Sequence, residues 1–156
     1  MTKQQIQIIT KNKKAYFSYT ISSVFLCGIK LYGSEIKSIR DGQVNISESY
    51  CILSNNEIWI KNMDIARYKF FNTEEYNPTR LRKLLLNKIE IQKIKKQLNE
   101  KGMTLIPTKL IINPKGLAKL EVGLGKGKKI YDKRESLKKR DAKIEMDRKK
   151  RENKSP

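Results

Sequence analysis

The sequence predicts a mainly β fold: a small antiparallel barrel with about three inserted helices, followed by a basic tail. Three observations carry this expectation. Short runs rich in Tyr, Phe, Ile, Val and Thr recur between turn signals over residues 15–125, which suits strands. Stretches between those runs carry helix start and stop residues instead. After Gly125, apolar residues almost vanish. The chain therefore reads as a flexible basic N-terminus over 1–14, a barrel over 15–125 and a tail over 126–156, disordered when free.

Residues 15–33 read as strand, with Gly28 marking a bend or bulge and Gly33 the end. Ser34 is a candidate N-cap and Gly42 a C-terminal stop, so 34–41 makes one or two helical turns. Ile36 and Ile39 then face the core, leaving Glu35, Lys37, Ser38 and Arg40 exposed. Such a helix could present these groups to RNA, or it could be a plain connector. Val44 to Lys61 reads as strands around an Asn55-Asn56 hairpin turn. Tyr68, Phe70 and Phe71 are candidates for base stacking, although core or rim packing explains such aromatics as well.

Asn77-Pro78 opens a helical reading through Leu86, with Pro in the first turn. Within it Arg80, Arg82 and Lys83 form a candidate phosphate-facing patch, and a solvated face gives the same pattern. Asn87 with Glu90 is a capping pair, from which a second helix runs to Lys101 with Ile91, Ile94 and Leu98 on one face. Gly102 stops it. Met103–Ile112 and Leu117–Leu124 read as strands joined by an Asn113-Pro114-Lys115-Gly116 turn, and Pro107 makes the first an edge or bulged strand. Five or more short strands with helices between them suggest a barrel of OB type, closed by helices.

The tail from Asp132 onward holds only Leu137, Ala142, Ile144 and Met146 as apolar residues. It also lacks Gly and Pro from Tyr131 to Ser155. Asp132 with Glu135 is a possible cap, and Glu135–Lys139, Glu145–Lys149 and Asp147–Arg151 are favourable acid-to-base pairs. Each contributes about 0.2–0.5 kcal/mol, too little to hold a lone helix against its nucleation cost. The tail is expected to become helical only in an anionic groove.

The formal charge is +19, from 35 Lys and Arg against 16 Asp and Glu. Tail and body are both basic, so a polyanionic partner is expected, nucleic acid ahead of a membrane surface. No run approaches membrane-spanning length. Without histidine there is no Ser-His-Asp triad, no Cys-His pair and no His-ligated zinc. Cys27 and Cys51 lie in apparent strands at no metal spacing and read as buried small hydrophobes. No enzyme, metal or cofactor is expected.

Four motifs in order resemble the SsrA-binding protein family, also called small protein B. They are Asn12-Lys13-Lys14-Ala15, the run from Gly28 to Gly42, Asn77-Pro78-Thr79-Arg80 with Arg82 to Asn87, and Gly125 to Lys129 followed by Asp132-Lys133-Arg134. The chain departs from the family pattern in having Tyr16-Phe17, Leu26-Cys27 and Tyr131. The resemblance implies a cytoplasmic, non-enzymatic adaptor, monomeric when free. Its OB-like barrel binds the tRNA-like domain of transfer-messenger RNA. It delivers that RNA to stalled ribosomes for trans-translation, its tail helical in the vacant mRNA channel. Asn12, Lys14, Gly33, Glu35, Lys37, Ser38, Arg40 and Lys119 would form the RNA-facing surface, together with Lys83, and Glu35 would orient Lys37 or Arg40. Gly125, Lys126, Gly127, Lys128, Lys129, Tyr131, Asp132, Lys133 and Arg134 would face the ribosome. Gly125 and Gly127 would turn the chain off the barrel. A basic structural ribosomal protein is the rival reading; it accounts for charge and tail but not for the ordered motifs.

Overall fold

A computed structural model describes residues 5–70, 75–128, 134 and 137–146. In chain order the elements are β1 (Gln7–Lys11), α1 (Lys13–Ser18), β2 (Tyr19–Ile29), α2 (Gly33–Arg40), β3 (Val44–Asn45) and β4 (Tyr50–Ser54). Then follow β5 (Glu57–Lys61), β6 (Asp64–Ile65), β7 (Arg82–Leu85), α3 (Lys88–Leu98), β8 (Met103–Ile112) and β9 (Ala118–Gly127).

Two turns set the local pairing. Asn55 and Asn56 both adopt positive φ, 51° and 59°, and close the β4–β5 hairpin with Ser54 opposite Glu57. Asn113 accepts the Gly116 N–H at 2.9 Å, and its side chain accepts from Lys115 and Leu117, closing β8 onto β9. The strands then join as β8-β4-β5-β7-β2-β9 and return to β8, every pair antiparallel, so the sheet is a closed barrel. The expected barrel is present. Pro107 sits at a register shift in β8, as a residue without an N–H requires.

The barrel interior is aliphatic: Ile58, Ile60, Leu84, Leu105, Leu110, Leu120, Val122 and Leu124 are all essentially excluded from water. Asn87 accepts the Glu90 N–H at 2.8 Å and Glu90 accepts the Asn87 N–H at 3.4 Å, so the expected capping box starts α3. Its Ile94 is fully buried, with Ile91 and Leu98 packed beside it. α3 ends at Leu98, three residues short of expectation, and a turn through Gly102 (φ +81°) leads into β8. α2 buries Ile39 and ends at Arg40, with Gly42 just beyond at a φ of +75° that suits glycine.

Several expectations fail. Residues 7–11, expected as part of a flexible terminus, form β1 against Lys109–Ile112, and residues 13–18, expected as basic terminus and strand start, form α1. Asn12 fixes this segment: its N–H donates to Thr108 O at 2.7 Å and its side-chain amide to Pro107 O at 2.9 Å. Residues 82–85, expected as helix, form β7. Arg82 and Leu84 point inward there while Leu85 points out, the period of two proper to a strand. Gly28 is a paired strand residue, and the bulge of β2 lies at Ile21/Ser23. Gly125 does not turn the chain off the barrel: β9 continues to Gly127, and a Cβ at Gly125 would come within 2.9 Å of Thr20 O.

Of the tail, Arg134 and residues 137–146 are helical, and every one of them is exposed. The junction residues Lys129, Tyr131, Asp132 and Lys133 lie outside the described residues, as do Glu135, Asp147, Lys149 and Arg151 of the expected cap and pairs.

Candidate nucleic-acid interface

Glu35 organises the site from beneath. It lies in the first turn of α2 and accepts the Tyr32 N–H at 2.8 Å, which fixes the helix start at Tyr32 rather than Ser34. Its carboxylate is fully buried and receives both Arg80 and Arg82. Arg82 donates from Nε at 2.7 Å and is itself fully buried, with further bonds to Met63 O and to Pro78 O at 2.9 Å. Tyr76 donates to Ile65 O at 2.8 Å beside them. Burial alone would raise the Glu35 pKa. The Arg80 and Tyr32 hydrogen bonds and the Arg82 charge outweigh it and hold the carboxyl below its ordinary value. Burial, then the Glu35 charge, pushes the Tyr76 hydroxyl upward.

Three site expectations change accordingly. Glu35 orients Arg80 and Arg82, not Lys37 or Arg40, and it does not reach the surface. Ser38 is also buried. The expected phosphate-facing patch of Arg80, Arg82 and Lys83 does not form. Arg82 is interior, Arg80 is four-fifths buried, and Lys83 pairs with Glu57 at 3.0 Å on the barrel wall.

Above this cluster lies an open groove of about 360 Å³ between the start of α2, β2, β7 and the β8–β9 turn. It brings together Gly33, Arg40 and Lys119, three of the expected residues, and no carboxylate lines it. Arg40 donates to Gly116 O at 3.2 Å, so its guanidinium is held at the rim. The Lys119 amine lies over Gly28, where a Cβ would come within 3.6 Å of it. Lys37 faces elsewhere, with its amine 5.5 Å from the Tyr68 ring, which meets Phe70 edge-on. Phe70 is 73% exposed, so one of the candidate stacking aromatics does reach solvent.

A second groove, of about 560 Å³, holds Asn12, Lys14, Gly127 and Lys128. It shares no lining residue with the first. The N-terminal motif thus stands beside the barrel-to-tail junction, where the Lys128 N–H donates to Ser18 O at 2.8 Å. Lys14 pairs there with Glu48, and Asn12 is 97% buried as a structural clamp. Lys126 and Arg134 are exposed, whereas Gly125 is buried in β9.

The sequence reading missed Tyr32 and the role of Arg80. The Arg80 guanidinium lies 4.1 Å from the centre of the Tyr32 ring. Tyr32 stood in an alternating run next to Gly33 and carried no signal beyond that.

The surface offers cations and rings rather than reactive groups. Burial, with Glu90 adding to it, pushes the Cys27 thiol up to about 12. Cys51 is raised by burial as well. Among the described residues no group of acidic or thiol side chains is placed to hold a metal ion, and no helix is long and apolar enough to cross a membrane.

Comparison with known proteins agrees with this geometry over nearly the whole length. A relative named SsrA-binding protein from Thermoanaerobacter pseudethanolicus is 47% identical over 148 residues, covering 95% of this chain and 94% of its own. Another of that name, from Phocaeicola vulgatus, is 49% identical over 138 residues, covering 88% of this chain and 92% of its own. A solved structure described as "tmRNA-SmpB: a journey to the center of the bacterial ribosome" superposes with a TM-score of 0.66 at 35% identity, over 82% of this chain and 93% of that one. The SmpB protein family model matches residues 9–152, from β1 through the barrel into the tail, and the chain belongs to that family.

Proposed function

We propose that this chain is an RNA-binding adaptor of trans-translation, not an enzyme. It binds the tRNA-like domain of transfer-messenger RNA and carries it, in the cytoplasm, to ribosomes stalled without a stop codon. The observation that carries the reading is the groove of Gly33, Arg40 and Lys119, cationic, free of carboxylates among its lining residues and set on a rigid barrel. The names of the relatives and of the structural neighbour support the same partner RNA and the ribosome as its destination.

The barrel carries the RNA, and Lys37 with the Tyr68–Phe70 pair offers it a second surface away from the groove. The junction, Lys126 to Arg134, and the basic tail face the small ribosomal subunit. The helical residues 137–146 enter the vacant mRNA channel, where phosphates neutralise the tail's cations. The free protein is a monomer.

The test is to purify the full chain from cells and sequence the RNA that accompanies it. One dominant tRNA-like RNA is expected. Ribosomal RNA alone, with the protein stoichiometric in all ribosomes, would replace this reading with a structural ribosomal protein.

A further inference from the structure

The exposed ring of Tyr32 is unusual in how rigidly it is held from one side. Its Arg80 partner is not a loose surface cation. Arg80 donates to both Glu35 oxygens and, at 3.3 Å, to Lys30 O, so its plane is fixed by a buried carboxylate and a backbone carbonyl. That plane lies over the Tyr32 ring at 4.1 Å. Tyr32 nevertheless remains 59% exposed. A cation covers the ring from one side, and more than half of the residue stays open to solvent at the wall of the groove that holds Gly33, Arg40 and Lys119.

We propose that Tyr32 is a stacking platform for an unpaired nucleobase, forming a three-layer stack of base, tyrosine and arginine. The inference rests on the RNA-binding reading and adds to it a specific contact. A cation on one face draws electron density from the ring and favours a π-rich plane on the other. Every base has such a plane, and the ring is pre-oriented, so little ordering entropy is lost on contact. Arg40 and Lys119 stand at the same groove to meet the phosphates flanking the base. Leu117 and Leu85, both about half exposed, offer apolar surface to the sugar. A second protein would find the same ring, but the cations around it and the absence of a lining carboxylate favour a polyanion.

The test uses the full chain and the transcribed tRNA-like domain of transfer-messenger RNA. Tyr32→Phe should bind as the parent does. Tyr32→Ala should bind about 5- to 150-fold more weakly, the range of one lost base–aromatic stack. The slope of log K against log salt should not change, because no charge is removed. Tyr32→Trp in a Trp59→Phe background should show its indole fluorescence quenched as RNA is added. Parent-like affinity for Tyr32→Ala, with Arg40→Ala and Lys119→Ala weakened, overturns the stack and leaves RNA binding standing. Weaker binding with a shallower salt slope overturns it too, because the ring then acts only by placing Arg80. Failure of the parent itself to bind this RNA removes the functional reading, and the stack with it.

Discussion

Glu35 of α2 and Arg82 of β7, 47 positions apart, meet at 2.6 Å with both side chains fully out of water. Removing one partner strands the other charge in a low dielectric. Glu35→Ala or Arg82→Ala should lower stability by about 3–5 kcal/mol, measured by urea unfolding. Lys83→Ala removes a half-exposed pair with Glu57 and should cost about 0–1 kcal/mol. Equal losses for the two pairs would overturn the buried reading.

The same cluster sets an acid limit. The folded Glu35 carboxyl titrates below its ordinary value of 4.5, so the unfolded chain takes up this proton at higher pH than the folded one. The stability it contributes is complete above that ordinary value and is lost as pH falls through the lower, folded one. Urea midpoints should drop below about pH 4.5, and Glu35→Gln should flatten that part of the curve. An unchanged acid slope in the Gln variant would assign the effect to other carboxylates.

Salt dependence separates phosphate contacts from the framework. Arg40→Ala and Lys119→Ala should each weaken binding of the tRNA-like RNA and reduce the salt slope by about 0.9 per lost phosphate. Lys37→Ala should act the same way. Lys14→Ala, whose amine already pairs with Glu48, should change the slope less.

The proposed division of labour between tail and barrel predicts a separation of functions. Its described residues 137–146 are helical and all exposed, with Leu137 and Ile144 still 43% and 48% open, so little apolar burial supports the helix. A chain ending after Lys129 should keep its RNA affinity and lose peptide tagging on stalled ribosomes. Circular dichroism of the free full chain should show little helix beyond that of the shortened one. A large loss of RNA affinity would instead join tail and barrel in one binding site.

The thiols report on barrel opening. Cys27 lies in the long β2–β9 pairing, whereas Cys51 sits where β4 meets β8 through the one register pair Cys51–Leu105. Both should resist a thiol reagent at pH 8 in the native state, and Cys51 should react first under mild urea. Earlier labelling of Cys27 would place the weakest seam elsewhere.

What the sequence made legible was what local chemistry decides. Asn55-Asn56, Asn113-Pro114-Lys115-Gly116 and the Asn87–Glu90 pair each fix their turn or cap with neighbours in the chain, and each is present. β7 was not legible, because an arginine at an inward position breaks the strand pattern unless its carboxylate, 47 residues away, is known. β1 depends in the same way on β8, about a hundred residues on. The site divides along that line too. Arg40, Lys119 and Gly33 line one groove. Glu35 looked exposed by helical spacing, and only the tertiary fold gives it two guanidinium partners and an interior place.

The closed ring has one more consequence. Once β8 has joined β9 and β4, the outer side of β1 is one border that the large sheet leaves open. That border is short, irregular at Ile8/Thr10 and finished by Lys11. Backbone recruitment of a neighbouring strand is therefore discouraged at that border, although the chain is rich in β structure. The β1 edge is thus a poor seed for intermolecular sheet growth.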